Sequence, residues 1–128
     1  MFFFVFFSAN FGLTGTGLPN AILSLTGLTS LDLADNSLEG SIYTFIGELT
    51  KLESLILDNN AFIGSVPEEI DSLTMLDRLS ISGNQLAGVL PVCDNESKPS
   101  IIIADCKEVD CGDGCCTCCP DEGETCFG

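Results

Sequence analysis

The sequence contains no histidine and only four basic side chains, Lys51, Arg78, Lys98 and Lys107. Without histidine, neither a Ser-His-Asp triad nor a Cys-His pair can form. The chain also has no phosphate-binding P-loop, no GxGxxG motif and no kinase signature. We therefore expect this protein to catalyse no reaction and to need no cofactor.

The shortage of basic residues also sets the charge of the chain. Nineteen acidic residues give a formal net charge of −15. Such a surface repels the phosphates of nucleic acids and the head groups of anionic lipids. In addition, no apolar run approaches the roughly 20 residues that a transmembrane helix needs. We expect neither nucleic-acid binding nor a membrane span in this chain.

What the sequence does contain is a repeat. Asn36, Asn60 and Asn84 are spaced by 24 residues. The same interval separates apolar and glycine columns, among them Leu28, Leu52 and Leu76, Leu31, Leu55 and Leu79, Leu33, Leu57 and Ile81, and Gly40, Gly64 and Gly88. Apolar residues alternate in the LxLxx stretch, which indicates a strand with one buried face. Because no single repeat can bury its own leucines, neighbouring repeats must stack.

The repeat unit reads LxxLxLxxNxLxGxIP, and it closely resembles the plant-type extracellular leucine-rich repeat. The resemblance covers residues 11–92 and implies an α/β solenoid, a short right-handed horseshoe segment with a parallel concave sheet. About five strands are expected, near residues 2–10, 28–36, 52–60, 76–84 and 98–106. The polar asparagine is expected to bond backbone groups of the bend, and stacked copies would form a ladder.

Both ends of the repeat array are degenerate. Phe2–Asn10 fits a first strand in which phenylalanine replaces leucine, and such a start within a repeat would mean that the protein begins further upstream. A truncated signal peptide is the alternative interpretation of this apolar segment. At the other end, Ile101 and Ile103 stand where Leu79 and Ile81 would recur. We therefore predict a solenoid over residues 1–92 and a last strand with a cap over residues 93–128.

The cap is rich in cysteine, and we predict that its cysteines form disulfides in an oxidising compartment. They are Cys93, Cys106, Cys111, Cys115, Cys116, Cys118, Cys119 and Cys126. Their pairing stays open, although Cys93 and Cys106 are reasonable anchors to the tail. A thiolate metal site at residues 115–119 is the alternative. The sequon Asn95-Glu96-Ser97 predicts glycosylation at Asn95, which agrees with secretion.

The variable strand positions point away from the leucines and so define a candidate ligand-binding face. They are Ser30, Asp32, Asp35, Ser54, Ile56, Asp58, Asn59, Arg78, Ser80 and Ser82. The resemblance implies a receptor-like or secreted recognition module that binds a protein, peptide or glycan outside the cell. A truncated fragment of a receptor-like protein or receptor kinase ectodomain remains an alternative, and so does a cysteine-rich metal-binding protein. The oligomeric state stays open.

Overall fold

A computed structural model describes residues 3–6, 14–18, 22, 24–94, 96–105, 108–112 and 115–118. The strands of this part of the chain are β1 (Phe3–Phe6), β2 (Thr14–Thr16), β3 (Leu28–Asp32), β4 (Ser37–Gly40), β5 (Ser54–Ile56), β6 (Ala61–Gly64), β7 (Arg78–Ser80), β8 (Gln85–Leu86), β9 (Gly88–Val89), β10 (Ile101–Ala104), β11 (Val109–Asp110) and β12 (Thr117–Cys118). Three 3-10 helices complete it, η1 (Thr44–Glu48), η2 (Glu68–Ser72) and η3 (Pro91–Asp94).

The main sheet contains six parallel strands in the order β1-β3-β5-β7-β10-β12. Its register aligns equivalent positions of successive repeats, so Leu31 pairs with Leu55 and Leu55 with Leu79. This confirms the predicted solenoid with a parallel concave sheet. The sheet has one strand more than the five expected, because β12 comes from the cysteine-rich cap.

The first strand is confirmed over Phe3–Phe6. It pairs in parallel with β3, with Val5 opposite Leu31 and an irregularity in register between Phe3 and Phe4. In this degenerate first repeat Phe3 stands opposite Leu28, whereas valine takes the position of Leu31. The remaining residues of the predicted strand, Phe2 and 7–10, lie outside the described part of the chain.

A second, four-stranded sheet, which the sequence pattern did not predict, follows the first. Its order is β2-β4-β6-β8, and the strands that pair in it are parallel. β9 and β11 form a separate parallel pair. β4 and β6 begin just after Asn36 and Asn60 and end at Gly40 and Gly64, both with φ of 81°. Glycine is needed there because this backbone conformation is strained for other residues.

The leucine and isoleucine columns form one core between the sheets and the 3-10 helices. Leu31, Leu55 and Leu79 are completely buried. On the convex side the same short pattern recurs, in which Ile46 bonds back to Tyr43 and Ile70 back to Pro67 through their backbone N–H groups. The described helices are too short to cross a membrane.

Tyr43 stands at the repeat position that Pro19, Pro67 and Pro91 occupy in the other repeats. It precedes η1 with ψ of 150°, as Pro67 precedes η2 with ψ of 148°. Tyrosine therefore adopts the extended backbone that proline favours. Its ring lies directly over Gly17, where a Cβ atom could not fit. The tyrosine ring therefore fits at this position because residue 17 of the preceding repeat is glycine.

The repeated asparagines form the predicted ladder. Asn60 Nδ2 donates to the carbonyl oxygens of Leu57, at 3.1 Å, and of Leu33 in the preceding repeat, at 2.9 Å. Its Oδ1 accepts the N–H of Leu38 at 3.1 Å. Asn84 repeats these bonds one repeat later, with Leu57 and Phe62. Each asparagine thus satisfies backbone groups in two adjacent repeats.

The predicted register of the last solenoid strand is wrong by one residue. Ile102, and not Ile101, stands opposite Leu79. Ile102 is 2% exposed and belongs to the core, whereas Ile101 is 36% exposed. The three consecutive isoleucines fit either register, since a one-residue slip changes the face but leaves an apolar residue inward.

Candidate functional site

The concave face is the side of the six-stranded sheet that faces away from the leucine core. Its surface consists of columns that run across the strands, because outward residues alternate with buried ones. One column is Ser30, Ser54 and Arg78, and the next is Asp32, Ile56 and Ser80. The structure therefore brings these six predicted residues together on one surface.

The corrected register of β10 extends both columns. Ile101 stands beside Arg78, and Ile103 stands beside Ser80 with Thr117 on its other side. Ile101 keeps 36% of its surface exposed, whereas Ile103 keeps 6%. Neither residue was predicted on this face, because the apolar character of both suggested the core. Ile101 thus adds an accessible apolar residue next to Arg78.

Ser80 differs from the other predicted contact residues because it is 2% exposed. It stands between Ile56 and Ile103 in its column, and these larger side chains flank it. Its hydroxyl donates to Asp58 Oδ1 at 2.9 Å. Ser80 therefore helps to hold the structure of this face, and it offers almost no surface to a ligand.

Asp58 organises the bend that follows β7. Its Oδ1 accepts the N–H and the hydroxyl of Ser82, both at 2.8 Å, in addition to the hydroxyl of Ser80. Charged acceptors make stronger hydrogen bonds than neutral ones. Asp58 thus links two adjacent repeats, and one of its carboxylate oxygens is already occupied.

The ends of the strands carry an exposed polar rim. Asp35 and Asn59 occupy the same position in successive repeats, with φ of 54° and 55°. Asn59 Nδ2 donates to Asp35 Oδ1 at 2.7 Å. Asparagine and aspartate tolerate this left-handed conformation better than most residues do. The rim leaves hydrogen-bonding groups accessible beside the sheet.

The electrostatics of the face are uneven. Asp32, Asp35 and Asp58 lie toward one end of the strands, while exposed Arg78 begins β7 and borders Ile101. In the described part of this face, Arg78 is the only cation. The arrangement can form hydrogen bonds, an ion pair and an apolar contact with a ligand.

Among the residues that the structure describes, two disulfides hold the cap, Cys93–Cys115 and Cys111–Cys116. Cys93 is thus confirmed as an anchor, because it joins η3 to the segment that leads into β12. The sulfur atoms of Cys93, Cys115 and Cys116 lie within 4.8 Å of one another. As these three are disulfide-bonded, they offer no thiolate for the metal site considered above. Cys106, Cys119, Cys126, the side chain of Cys118 and Asn95 lie outside the described residues.

Comparison with known proteins agrees with this architecture. A family model described as "Leucine rich repeat" matches residues 26–86. The chain is similar to the ectodomain of the receptor kinase SOBIR1 from Arabidopsis thaliana, with 32% identity and a TM-score of 0.67 over 74% of this chain and 51% of that one. No curated protein sequence matches significantly.

Two further solved structures are similar. A chain of the BIR3–SERK2 complex from Arabidopsis thaliana has 31% identity and a TM-score of 0.57, over 91% of this chain and 59% of that one. The Arabidopsis receptor kinase HAESA, in complex with the peptide hormone IDA and the co-receptor SERK1, has 34% identity and a TM-score of 0.60 over 66% of this chain and 14% of that one. The chain thus spans about half the length of the shorter of these proteins.

The family model matches the part of the chain that contains the 24-residue repeat. The similar solved structures named above are all from Arabidopsis and include receptor ectodomains. The asparagine ladder, the glycine bends and the disulfide-bonded cap are all present in the described chain. This protein is therefore a leucine-rich-repeat protein of the plant extracellular type.

Proposed function

We propose that this chain is a non-catalytic extracellular recognition module that binds a protein, peptide or glycan through its concave face. The observation that carries the proposal is the pairing of exposed Arg78 with exposed Ile101, beside columns of serine and aspartate. A charged side chain can orient a ligand, and an apolar side chain beside it adds contact area that loses water on binding. Binding sites commonly combine the two.

The solved relatives support a binding role. HAESA was solved with a peptide hormone and a co-receptor, and BIR3 with SERK2. This chain covers 51% and 59% of the two shorter relatives but 14% of HAESA. The ligands and partners of these relatives are a peptide and proteins, which supports a peptide or protein ligand as the first class to test.

An extracellular location is part of the proposal. Disulfides persist in oxidising compartments and are rare in the cytosol. The described cap contains two of them, and the similar structures include receptor ectodomains. The alternative of a receptor-like protein or receptor kinase of which this chain is one part has the same repeats, and full-length transcript sequence would separate the two.

The test is a binding screen with a matched pair of variants. The chain, secreted from an oxidising host, is immobilised and screened against secreted proteins, short peptides and cell-wall oligosaccharides. For any ligand found, Arg78→Glu is compared with Lys51→Glu, which makes the same charge change at another exposed residue, in the turn before β5. We expect Arg78→Glu to weaken binding about tenfold or more and Lys51→Glu to change it little. Equal effects of the two variants would refute a site on the concave face.

A further inference from the structure

The sulfur atoms of four cysteines form one cluster in the cap. Those of Cys93, Cys115 and Cys116 lie within 4.8 Å of one another. Cys111 adds a fourth sulfur to the cluster, because it is bonded to the sulfur of Cys116. The disulfides Cys93–Cys115 and Cys111–Cys116 are therefore neighbours in space, and the adjacent residues 115 and 116 connect them through the chain.

Backbone hydrogen bonds to the solenoid also hold the chain segments that carry these cysteines. Cys93 belongs to η3, and its N–H donates to the carbonyl oxygen of Leu90 at 3.3 Å. Cys111 directly follows β11, which pairs with β9. Cys116 directly precedes β12, which pairs with β10. Because each segment is held by its own backbone contacts, we expect the four sulfurs to stay close together when both disulfides are reduced.

The cluster is buried on one side and accessible on the other. Cys111 is 7% exposed and belongs to the hydrophobic core. Cys93, Cys115 and Cys116 are partly buried and pack against that core. A reductant or an ion can therefore reach the cluster from solvent, while the core limits the motion of the sulfurs on the inner side.

Four sulfurs at this spacing suit a tetrahedral metal ion. A Zn–S bond is about 2.3 Å long, which puts the sulfurs of a four-cysteine zinc site about 3.8 Å apart. Separations within 4.8 Å allow that arrangement with small side-chain movements. The ligand set would consist of sulfur alone, since the chain has no histidine, and the net charge of −15 favours the approach of a cation.

We propose that Cys93, Cys111, Cys115 and Cys116 bind Zn²⁺ when their two disulfides are reduced. A dithiol reductant breaks each S–S bond and becomes a disulfide itself, and the two electrons and two protons that it gives up convert the two cysteine sulfurs to thiols. Zinc then binds the four thiolates, and their four protons go to solvent. Oxidised and reduced forms of the cap are thus held by covalent bonds and by a metal ion respectively. The site does not depend on the ligand proposed for the concave face.

The experiment measures the zinc affinity of the full chain before and after reduction, by competition with a coloured chelator under nitrogen. The reductant is a water-soluble phosphine, which takes the oxygen of water and leaves its two protons on the sulfurs. We expect the reduced chain to bind zinc about tenfold or more tightly than the oxidised chain, because thiolates and not disulfide sulfurs are metal ligands. Cobalt bound in place of zinc should show thiolate-to-metal charge-transfer absorption.

A matched pair of serine variants assigns the site. Cys93→Ser removes one of the four ligands and should weaken zinc binding by the reduced chain about tenfold or more. Cys126→Ser removes a cysteine outside the cluster and should change the affinity about twofold or less. Equal effects of the two variants would overturn the proposal, and so would zinc binding of equal strength by the oxidised chain.

A third variant leaves only the four cysteines of the cluster. It replaces the other four by serine, in Cys106→Ser, Cys118→Ser, Cys119→Ser and Cys126→Ser. After reduction it should bind zinc in a one-to-one ratio, and it should then unfold at a higher urea concentration than without zinc, because a ligand of the folded state stabilises it. A reduced chain that binds no zinc, with or without these substitutions, would refute the site.

Discussion

The side chain of Asn59 occupies the space into which a side chain at Gly83 would project. The two residues hold the same position in successive repeats, and both adopt left-handed backbone conformations, with φ of 55° and 66°. A Cβ atom at Gly83 would lie less than 3.0 Å from Asn59 Oδ1. Gly83 is therefore required by its neighbour as well as by its own backbone.

Replacing Gly83 by alanine should destabilise the fold more than the same change at Gly64. Gly64→Ala incurs the left-handed strain alone, about 1–2 kcal/mol, because its Cβ would meet only Ser41 Oγ at 3.6 Å. Gly83→Ala adds the clash with Asn59, so we expect a loss of about 3 kcal/mol. Urea unfolding measures both. Asn59→Gly should restore part of the loss in Gly83→Ala, and equal losses for the two single variants would disprove the clash.

The asparagine ladder predicts a large effect for Asn60→Ala. The variant removes the acceptor of the Leu38 N–H and the donor to the Leu33 carbonyl. Each unsatisfied buried group costs about 1–3 kcal/mol, so we expect the free energy of unfolding to fall by about 2–4 kcal/mol. Gln85→Ala, at an exposed residue of β8, should change it by about 0.5 kcal/mol or less. If the two variants unfold at the same urea concentration, the ladder does not stabilise the stack.

The register of β10 can be tested with two alanine variants. Ile102→Ala should lower the free energy of unfolding by about 2–5 kcal/mol, because Ile102 is 2% exposed and lies in the core. Ile101→Ala should lower it by about 1 kcal/mol or less, since Ile101 is on the concave face. The register predicted from the sequence would reverse this order, so thermal or urea unfolding decides between the two.

The two described disulfides should contribute unequally to stability. Cys93–Cys115 spans 22 residues and Cys111–Cys116 spans five. By loop entropy, the first should contribute about 3.4 kcal/mol and the second about 2 kcal/mol. We expect Cys93→Ala/Cys115→Ala to unfold at a lower urea concentration than Cys111→Ala/Cys116→Ala. Intact mass before and after reduction counts the oxidised cysteines of each variant, and the reverse order of stability would contradict the cap as described.

The 24-residue interval by itself determined the fold of this protein. An asparagine, a glycine and alternating leucines at fixed spacing can bury their apolar groups and satisfy their bends only by stacking, so the stacked repeats and the ladder follow, and the resemblance of the repeat unit implied the parallel sheet. The outward positions of β3, β5 and β7 follow as well. Ser30, Ser54 and Arg78 were therefore placed correctly in one column without any structure.

Only the tertiary structure decided the features that depend on neighbouring repeats. Three consecutive isoleucines carry no periodicity, so pairing with β7 was needed to place Ile101 beside Arg78. The burial of Ser80 comes from its neighbours in the column, and the pairing of Cys93 with Cys115 depends on how the cap folds back onto η3. Local spacing determines which residues repeat, but contacts across repeats determine which of them remain accessible.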